Sequence, residues 1–372
     1  MKMKAAVVNE FGKPISIEEV TIEPPGEGEV RVRVAAVGVC HTDLHGVKGE
    51  HGSSELPAIF GHEVSGFVDE VGKNVTYVKP GDRVLISLMK AGCGECFYCQ
   101  VGQAVHCVKN KIRRVRPETG GLAGPSRCLN KDGMRLWQLT GTYAGFAEYT
   151  IVREEHLCKV DPDIPMETAA VLSCAVISGF GATINRSQIK PFESAVIVGT
   201  GGVGLSAIQG AAFCGAHPVI AVDILDSKLE AARSFGATHT INSAKVDPIQ
   251  AVMELTDGRG ADHVLMTVAG IKLKRVGFAM LSVRGRMVMI GHAGREYMNE
   301  FEVTEFMGGR SIFGSAMGGI NLRVDIPRML DLYRTGRLKI DKMITGRYSL
   351  EQINEAFAST EKGDVLRNVV LL

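Results

Sequence analysis

Four cysteines stand close together in the run Cys93-x2-Cys96-x2-Cys99-x7-Cys107. Thiolate donors this dense on one short loop suit a closed tetrahedral Zn²⁺ site, and a site with no open coordination position serves structure rather than turnover. A disulfide pair is the competing reading and needs an oxidising compartment; an iron–sulfur cluster is another, but its usual spacings differ. Further on, Ser194-Ala-Val-Ile-Val-Gly199-Thr-Gly201-Gly202-Val203-Gly204 reads as an apolar strand, a glycine turn and the start of a helix. In that setting Gly199 permits the turn, Gly201 lets the backbone approach a pyrophosphate, and Gly204 packs helix against strand. The next strand, Val219-Ile-Ala-Val-Asp223, ends in a carboxylate placed to bind ribose hydroxyls and repel a 2′-phosphate. No arginine follows in Ile224-Leu225-Asp226-Ser227, so the expected dinucleotide is NAD rather than NADP.

A second set of potential ligands is scattered over three segments: Gly38-Val-Cys40-His41-Thr42-Asp43-Leu-His45, Gly61-His62-Glu63, and Ser173-Cys174. Two thiolates and one imidazole would hold Zn²⁺ with a fourth position open, where a substrate oxygen could meet a Lewis acid. Taken singly, a buried cysteine or histidine is more often packing than ligand, and spacing alone does not join these three.

Together the three segments, the four-cysteine loop and the nucleotide fingerprint resemble the zinc-containing medium-chain alcohol dehydrogenase family, in its longer-loop, dimeric form, over essentially the whole chain. The resemblance implies two Zn²⁺ per chain, a structural one on Cys93, Cys96, Cys99 and Cys107 and a catalytic one on Cys40, His62 and Cys174. Asp43 matches a carboxylate that orients the histidine ligand, and Glu63 an acid behind the metal; as surface charges, both would be inert. Thr42 matches the hydroxyl that accepts the alcohol's proton, and His45 the histidine that hands it to solvent, although a loop histidine can simply be exposed. Lys228 is implied beside the adenosine ribose, His41 and Arg367 near the pyrophosphate, and Ser178, Val203, Val268, Ile290 and Met317 around the nicotinamide. Met89, His292 and Ala316 match positions that line the substrate channel.

The basic run Lys109 to Arg116 reads either as solvated surface or as recognition of an anionic substrate, with Arg113 matching an arginine of glutathione-dependent formaldehyde dehydrogenases. Against a formaldehyde–thiol adduct, the acidic pair of those enzymes is replaced by His51 and Ser53, and a tyrosine by His45. That substrate is therefore the alternative to an ordinary alcohol or aldehyde. A zinc-stapled nucleotide-binding protein without turnover is a third reading.

The elements that must position these residues fall into two halves. Up to about residue 160, short β-branched runs closed by turns (Glu29 to Val37, Val64 to Val71, Arg83 to Ser87, Phe146 to Val152) predict a mostly β domain, interrupted by an irregular stretch from Ala91 to Gly141. From about Cys174 the rhythm changes to strand, glycine turn and helix. Strands are expected at Ala195–Val198, Val219–Val222, His239–Ile241, His263–Val268 and Arg286–Ile290. A helix (Asp325 to Thr335), a strand (Lys342 to Tyr348), a helix (Leu350 to Thr360) and a terminal strand from Arg367 then follow. The expected fold is α/β: a doubly wound parallel Rossmann sheet (174–315) plus a discontinuous, mostly β, GroES-like catalytic domain (1–173 and 316–372).

Hydrophobic residues make up 45% of the 372, enough for two cores, while 42 basic against 41 acidic residues leave no overall field to attract nucleic acid or an anionic membrane. No apolar stretch reads as long enough to span a bilayer, and the N-terminus has no apolar run behind its lysines, which favours the cytoplasm. Three of the nine cysteines, Cys128, Cys158 and Cys214, read as packing thiols. A homodimer is expected, paired through the edge strand Arg310 to Gly314, with a tetramer as the alternative.

Overall fold

The computed structural model describes residues 1–50, 55–109, 124–138, 143–291, 300–363 and 365–372. It divides into two compact units, Met1–Cys174 with Asn321–Asp331 and Ile340–Leu372, and Ala175–Ile320 with Leu332–Lys339. The tail after residue 315 is thus shared: residues up to Ile320, and Leu332–Lys339, join the second unit rather than the first.

The first unit holds a small closed barrel and a larger sheet. The barrel runs Lys2–Val8, Ser16–Ile22, Gly124–Leu129, Arg135–Gln138 and Ala58–Ile59, and encloses Met3, Ala5, Val7, Val20, Ile22, Ile59 and Leu136. Two of these strands lie inside the stretch expected to be irregular. Neither shows strong alternation in sequence, and each is held by its neighbours in the barrel rather than by its own pattern. In the larger sheet the order is Leu157–Lys159, Arg83–Ile86, Glu63–Val71, Glu29–Val39, Arg367–Leu371, Ile344–Ser349, with Tyr149–Arg153 also on Glu29–Val39. The strand expected from Phe146 begins only at Tyr149, Ala147 making one bridge to Ala5.

Glu29–Val39 shows how sequence sets its two ends. Val30, Val32 and Val34 alternate inward against Arg31 and Arg33, as a half-buried strand requires; from Ala36 to Val39 every residue is buried. The strand enters the interior where the chemistry begins.

In the second unit six strands lie parallel in the order His239–Asn242, Val219–Asp223, Ala195–Val198, Ala261–Met266, Leu281–Met289, Ser311–Gly314. Numbered along the chain this is 3-2-1-4-5-6, the doubly wound order, which opens a crevice at the carboxyl ends of the central strands. Ala195–Val198 is buried throughout, and so is the following helix, Gly202–Phe213, at every residue from Gly204 to Ala211. One expectation is corrected here. The helical run Met166–Ser187 is long and apolar enough to cross a membrane by length and composition, but its apolar side chains are buried within the fold. Its Ser and Thr residues interrupt the hydrophobic reading in sequence, and in the fold the hydroxyls of Ser173 and Thr183 are satisfied by the helix carbonyls of Ala170 and Phe180.

Candidate active site and nucleotide turn

Strand register brings the scattered ligands together. Glu29–Val39 stops one residue before Cys40, and Gly38 pairs opposite Glu63, so His62 lies just beyond the start of the neighbouring strand. On the other side Asn368 pairs with Val39, which carries Arg367 to the same end. The helix Met166–Val171 packs on all three strands and continues into a wider π turn, Leu172–Val176, that supplies Cys174. Such turns recur at functional sites because they re-aim a side chain without ending the helix. The donor atoms of Cys40, His62, Glu63 and Cys174 all lie within 4.8 Å of one another, and all four residues are buried.

Asp43 and Glu63 are not surface charges; each is 0% exposed. Asp43 Oδ1 accepts from the Gly61 amide and from His62 Nδ1, both at 3.0 Å, which leaves Nε2 as the ring's ligand atom. Glu63 Oε1 binds the Arg367 guanidinium, itself buried. Burial opposes charging His62, but the Asp43 and Cys40 charges outweigh it and raise its pKa. The hydrogen bond from Cys174 holds the Cys40 thiol well below its ordinary range, and the same bond, with burial, pushes Cys174 up. Burial raises Glu63 to about 7 against the opposing pull of Arg367. Asp43 Oδ2 and Glu63 Oε2 are buried without a hydrogen-bond partner among the described residues. Two sulfurs, an imidazole and an under-satisfied carboxylate form a donor set that a zinc dication would neutralise, so the residues fit the metal.

The other cysteine cluster fits as well. The sulfurs of Cys93, Cys96, Cys99 and Cys107 lie within 4.8 Å of one another, and those of Cys96 and Cys99 are 3.6 Å apart. A disulfide would need about 2.05 Å, whereas four sulfurs 2.3 Å from zinc stand roughly 3.8 Å apart. Backbone amides of Cys93 and Cys96 point at the sulfurs of Cys107 and Cys93, at 3.4 Å each, as anionic thiolates require.

At the glycine turn Gly199 has φ +89°, and a side chain there would also strike Val268 Cγ1 at 2.3 Å. A Cβ on Gly204 would lie 1.9 Å from the Gly199 carbonyl oxygen, so only glycine lets the helix come this close. Gly201 differs: a Cβ would meet nothing within 4 Å, and φ −71° suits any residue. The protein itself has no use for glycine there, but a dinucleotide pyrophosphate at the start of Gly202–Phe213 would, and the turn fits that group. Asp223 Oδ2 accepts from the Thr200 amide and hydroxyl at 2.8 Å each, and Oδ1 from the amides of Ile224 and Leu225. It thus ties the glycine turn to its own strand, a second task that sequence reading missed, while staying partly exposed.

The remaining candidates are distributed as follows. Val268 and Ile290 follow the carboxyl ends of Ala261–Met266 and Leu281–Met289, Val203 is the second residue of the helix after the turn, and Ser178 Oγ lies 3.7 Å from Met317 Sδ. Lys228 lies on Asp226–Ser234. Ala316 precedes the turn Met317–Gly319, and Met89 is buried with its amide on Ser87 Oγ. His41, Thr42 and His45 share the short helix His41–Val47. Arg113 and His292, like His51 and Ser53, fall outside the described residues.

Sequence reasoning missed two supports. Tyr143, buried, donates its hydroxyl to the His62 carbonyl at 2.7 Å and so steadies the ligand loop. A Cβ on Gly38 would sit 2.1 Å from Glu63 Oε2; a glycine inside an otherwise valine-rich strand was the available signal. Ser187, His263 and Glu193 also form a hydrogen-bonded chain, with both contacts at 2.8 Å, yet Ser187 is 0% exposed and no substrate could reach it.

Comparison with known proteins matches two family models, "Alcohol dehydrogenase GroES-like domain" over residues 26–162 and "Zinc-binding dehydrogenase" over 202–335. Alcohol dehydrogenase 1 of Trifolium repens is 33% identical, covering 100% of this chain and 97% of that protein. S-(hydroxymethyl)glutathione dehydrogenase of Escherichia coli O1:K1 is 36% identical, with 100% of both covered. Among solved structures, benzyl alcohol dehydrogenase of Acinetobacter calcoaceticus superposes with a TM-score of 0.88 at 32% identity, covering 100% of this chain and 99% of that one.

Proposed function

The chain belongs to the zinc-containing medium-chain alcohol dehydrogenase family, and from that premise we propose that it passes a hydride between an alcohol or aldehyde and NAD. The observation that carries this reading is the buried convergence of Cys40, His62 and Cys174 beside Glu63. When bound, zinc supplies a Lewis acid that lowers an alcohol's pKa, and the nicotinamide supplies the hydride acceptor. Cys40, His62 and Cys174 would hold the metal, with Asp43 keeping His62 in its ligand tautomer. The Thr42 hydroxyl takes the alcohol's proton and His45 passes it on to solvent. Asp223, at the end of its strand and with no arginine after it, supports NAD.

Zinc analysis combined with NADH absorbance on a panel of alcohols and aldehydes tests this. Two zincs per chain and turnover are expected; one zinc and no turnover would leave a nucleotide-binding protein without catalysis. A second reading, an S-hydroxymethyl thiol as substrate, is favoured by the 36% identity to S-(hydroxymethyl)glutathione dehydrogenase and opposed by His45, His51 and Ser53. Including such an adduct in the panel separates the two. We assign the chain to the cytoplasm as a homodimer, supported by cysteine clusters that suit metal rather than disulfides and by Ser311–Gly314 at the end of its sheet, where a symmetry mate could continue the ladder. Sedimentation as a monomer at micromolar concentration would overturn the dimer.

A further inference from the structure

The helix that carries the proton-handling residues ends in an unusual way. After His41–Val47, Lys48 closes the last turn and Gly49 takes φ +77°, where a Cβ would also meet the Phe11 ring at 2.9 Å. The Gly49 amide then bonds the Gly46 carbonyl and the Glu50 amide bonds the His45 carbonyl, at 2.9 Å each. These are the paired bonds of a Schellman cap, which brings the residue two past the capping Lys48 against the residue three before it. That contact is ordinarily between apolar side chains. Here it joins Glu50 Oε2 to His45 Nδ1.

We propose that Glu50 is a positioning residue for His45, fixing which ring nitrogen handles the proton. An ionised carboxylate only accepts, so Nδ1 must donate to it, and the neutral ring then carries its lone pair on Nε2. When Nε2 takes a proton, the resulting imidazolium lies beside the Glu50 charge. Among the described residues, other charged or titratable groups near this helix end include His41, its ring 6.5 Å from that of His45, and Lys48, which pairs with Glu361 on the helix Ile353–Lys362. Neither side chain of the His45–Glu50 pair is buried, at 25% and 48% exposure, and exposed pairs of this kind add little to stability. The His45–Glu50 pair by itself therefore adds little to folding, at a place where an apolar residue would cap the helix as well.

The inference rests on the reading of His45 as the last proton carrier, and the test keeps the two apart. Alcohol oxidation with NAD is measured for the zinc-loaded parent, His45→Gln, Glu50→Leu, Glu50→Gln and the double variant His45→Gln/Glu50→Leu. Leucine restores the ordinary apolar cap contact without the carboxylate; glutamine still offers a carbonyl oxygen to Nδ1. Glu50→Leu is expected to lower kcat about tenfold, with KM and Tm unchanged and with recovery in imidazole buffer, while Glu50→Gln recovers most of the loss. In the His45→Gln background the leucine substitution should cost nothing more. A Glu50→Leu enzyme with full kcat beside an impaired His45→Gln enzyme would overturn the role of Glu50 alone. So would an equal further loss in the double variant, or a glutamine variant as impaired as leucine. Full activity in His45→Gln would remove the relay and Glu50 with it.

Discussion

Replacing Gly201 by alanine adds one methyl group at a place where the folded chain has room for it and a bound dinucleotide does not. The backbone there is compatible with alanine, at φ −71° and ψ −170°, and the new Cβ meets no atom within 4 Å. Without cofactor the substitution should leave stability unchanged or raise it by about 0.4–1 kcal/mol, since alanine restricts the unfolded chain. With cofactor, the amide that would approach an oxygen at about 2.9 Å is shielded by a methyl that needs roughly 3.5 Å. Losing one charge-assisted hydrogen bond costs about 1.5–3 kcal/mol, which is roughly a 10- to 150-fold weaker Kd. Gly204→Ala is the contrasting variant. Its Cβ would lie 1.9 Å from the Gly199 oxygen, so helix and turn must part by more than about 1 Å, at roughly 1–3 kcal/mol of stability before any cofactor is added. Fluorescence titration with NADH, run beside thermal unfolding of both cofactor-free variants, reads the two effects separately. Tight NADH binding by Gly201→Ala, or a lowered melting temperature in that variant without NADH, would refute the assignment of the open face to a pyrophosphate.

Glu63→Gln removes the carboxylate from a buried guanidinium, so urea unfolding of the zinc-loaded protein should show a loss of about 3 kcal/mol or more, because Arg367 keeps its charge without its partner. A loss below 1 kcal/mol would mean that the arginine relaxes to water. Cys99→Ser should reduce zinc content from two per chain to one and open the Cys93–Cys107 lobe to protease while the Cys40 site keeps its metal; unchanged zinc content would disprove the closed four-sulfur site. His156 is buried on the Ser87 carbonyl, and burial pushes its pKa down to about 4. Because the folded value lies below the unfolded one, its contribution is complete above about pH 6.5 and is lost as pH falls toward 4, worth roughly 3 kcal/mol across that window. Relative to the parent, His156→Asn should therefore lose less stability between pH 6.5 and 4; identical pH slopes would show that the histidine does not titrate there.

What the sequence determined by itself is what lies within a few residues of itself. Cys93 to Cys107 are close enough that their spacing implies a common metal, and Gly199 to Gly204 sit between a strand and a helix whose periodicities are legible locally, so turn, sheet and order of elements follow from short-range pattern. The barrel strands Gly124–Leu129 and Arg135–Gln138 escaped notice because neighbours across the barrel, not their own alternation, hold them extended. Cys40, His62 and Cys174 could be joined from sequence only by resemblance. Their meeting depends on Gly38 pairing with Glu63, on Asn368 pairing with Val39, and on a π turn aiming one cysteine inward. A one-residue slip in either register would turn those side chains to the opposite face. The same holds for the Tyr143 bond to the His62 carbonyl, which arises where separate backbone segments are packed together. Ligand chemistry is a property of residue type and is written in the chain; coincidence in space is a property of packing, and only the folded structure decides it.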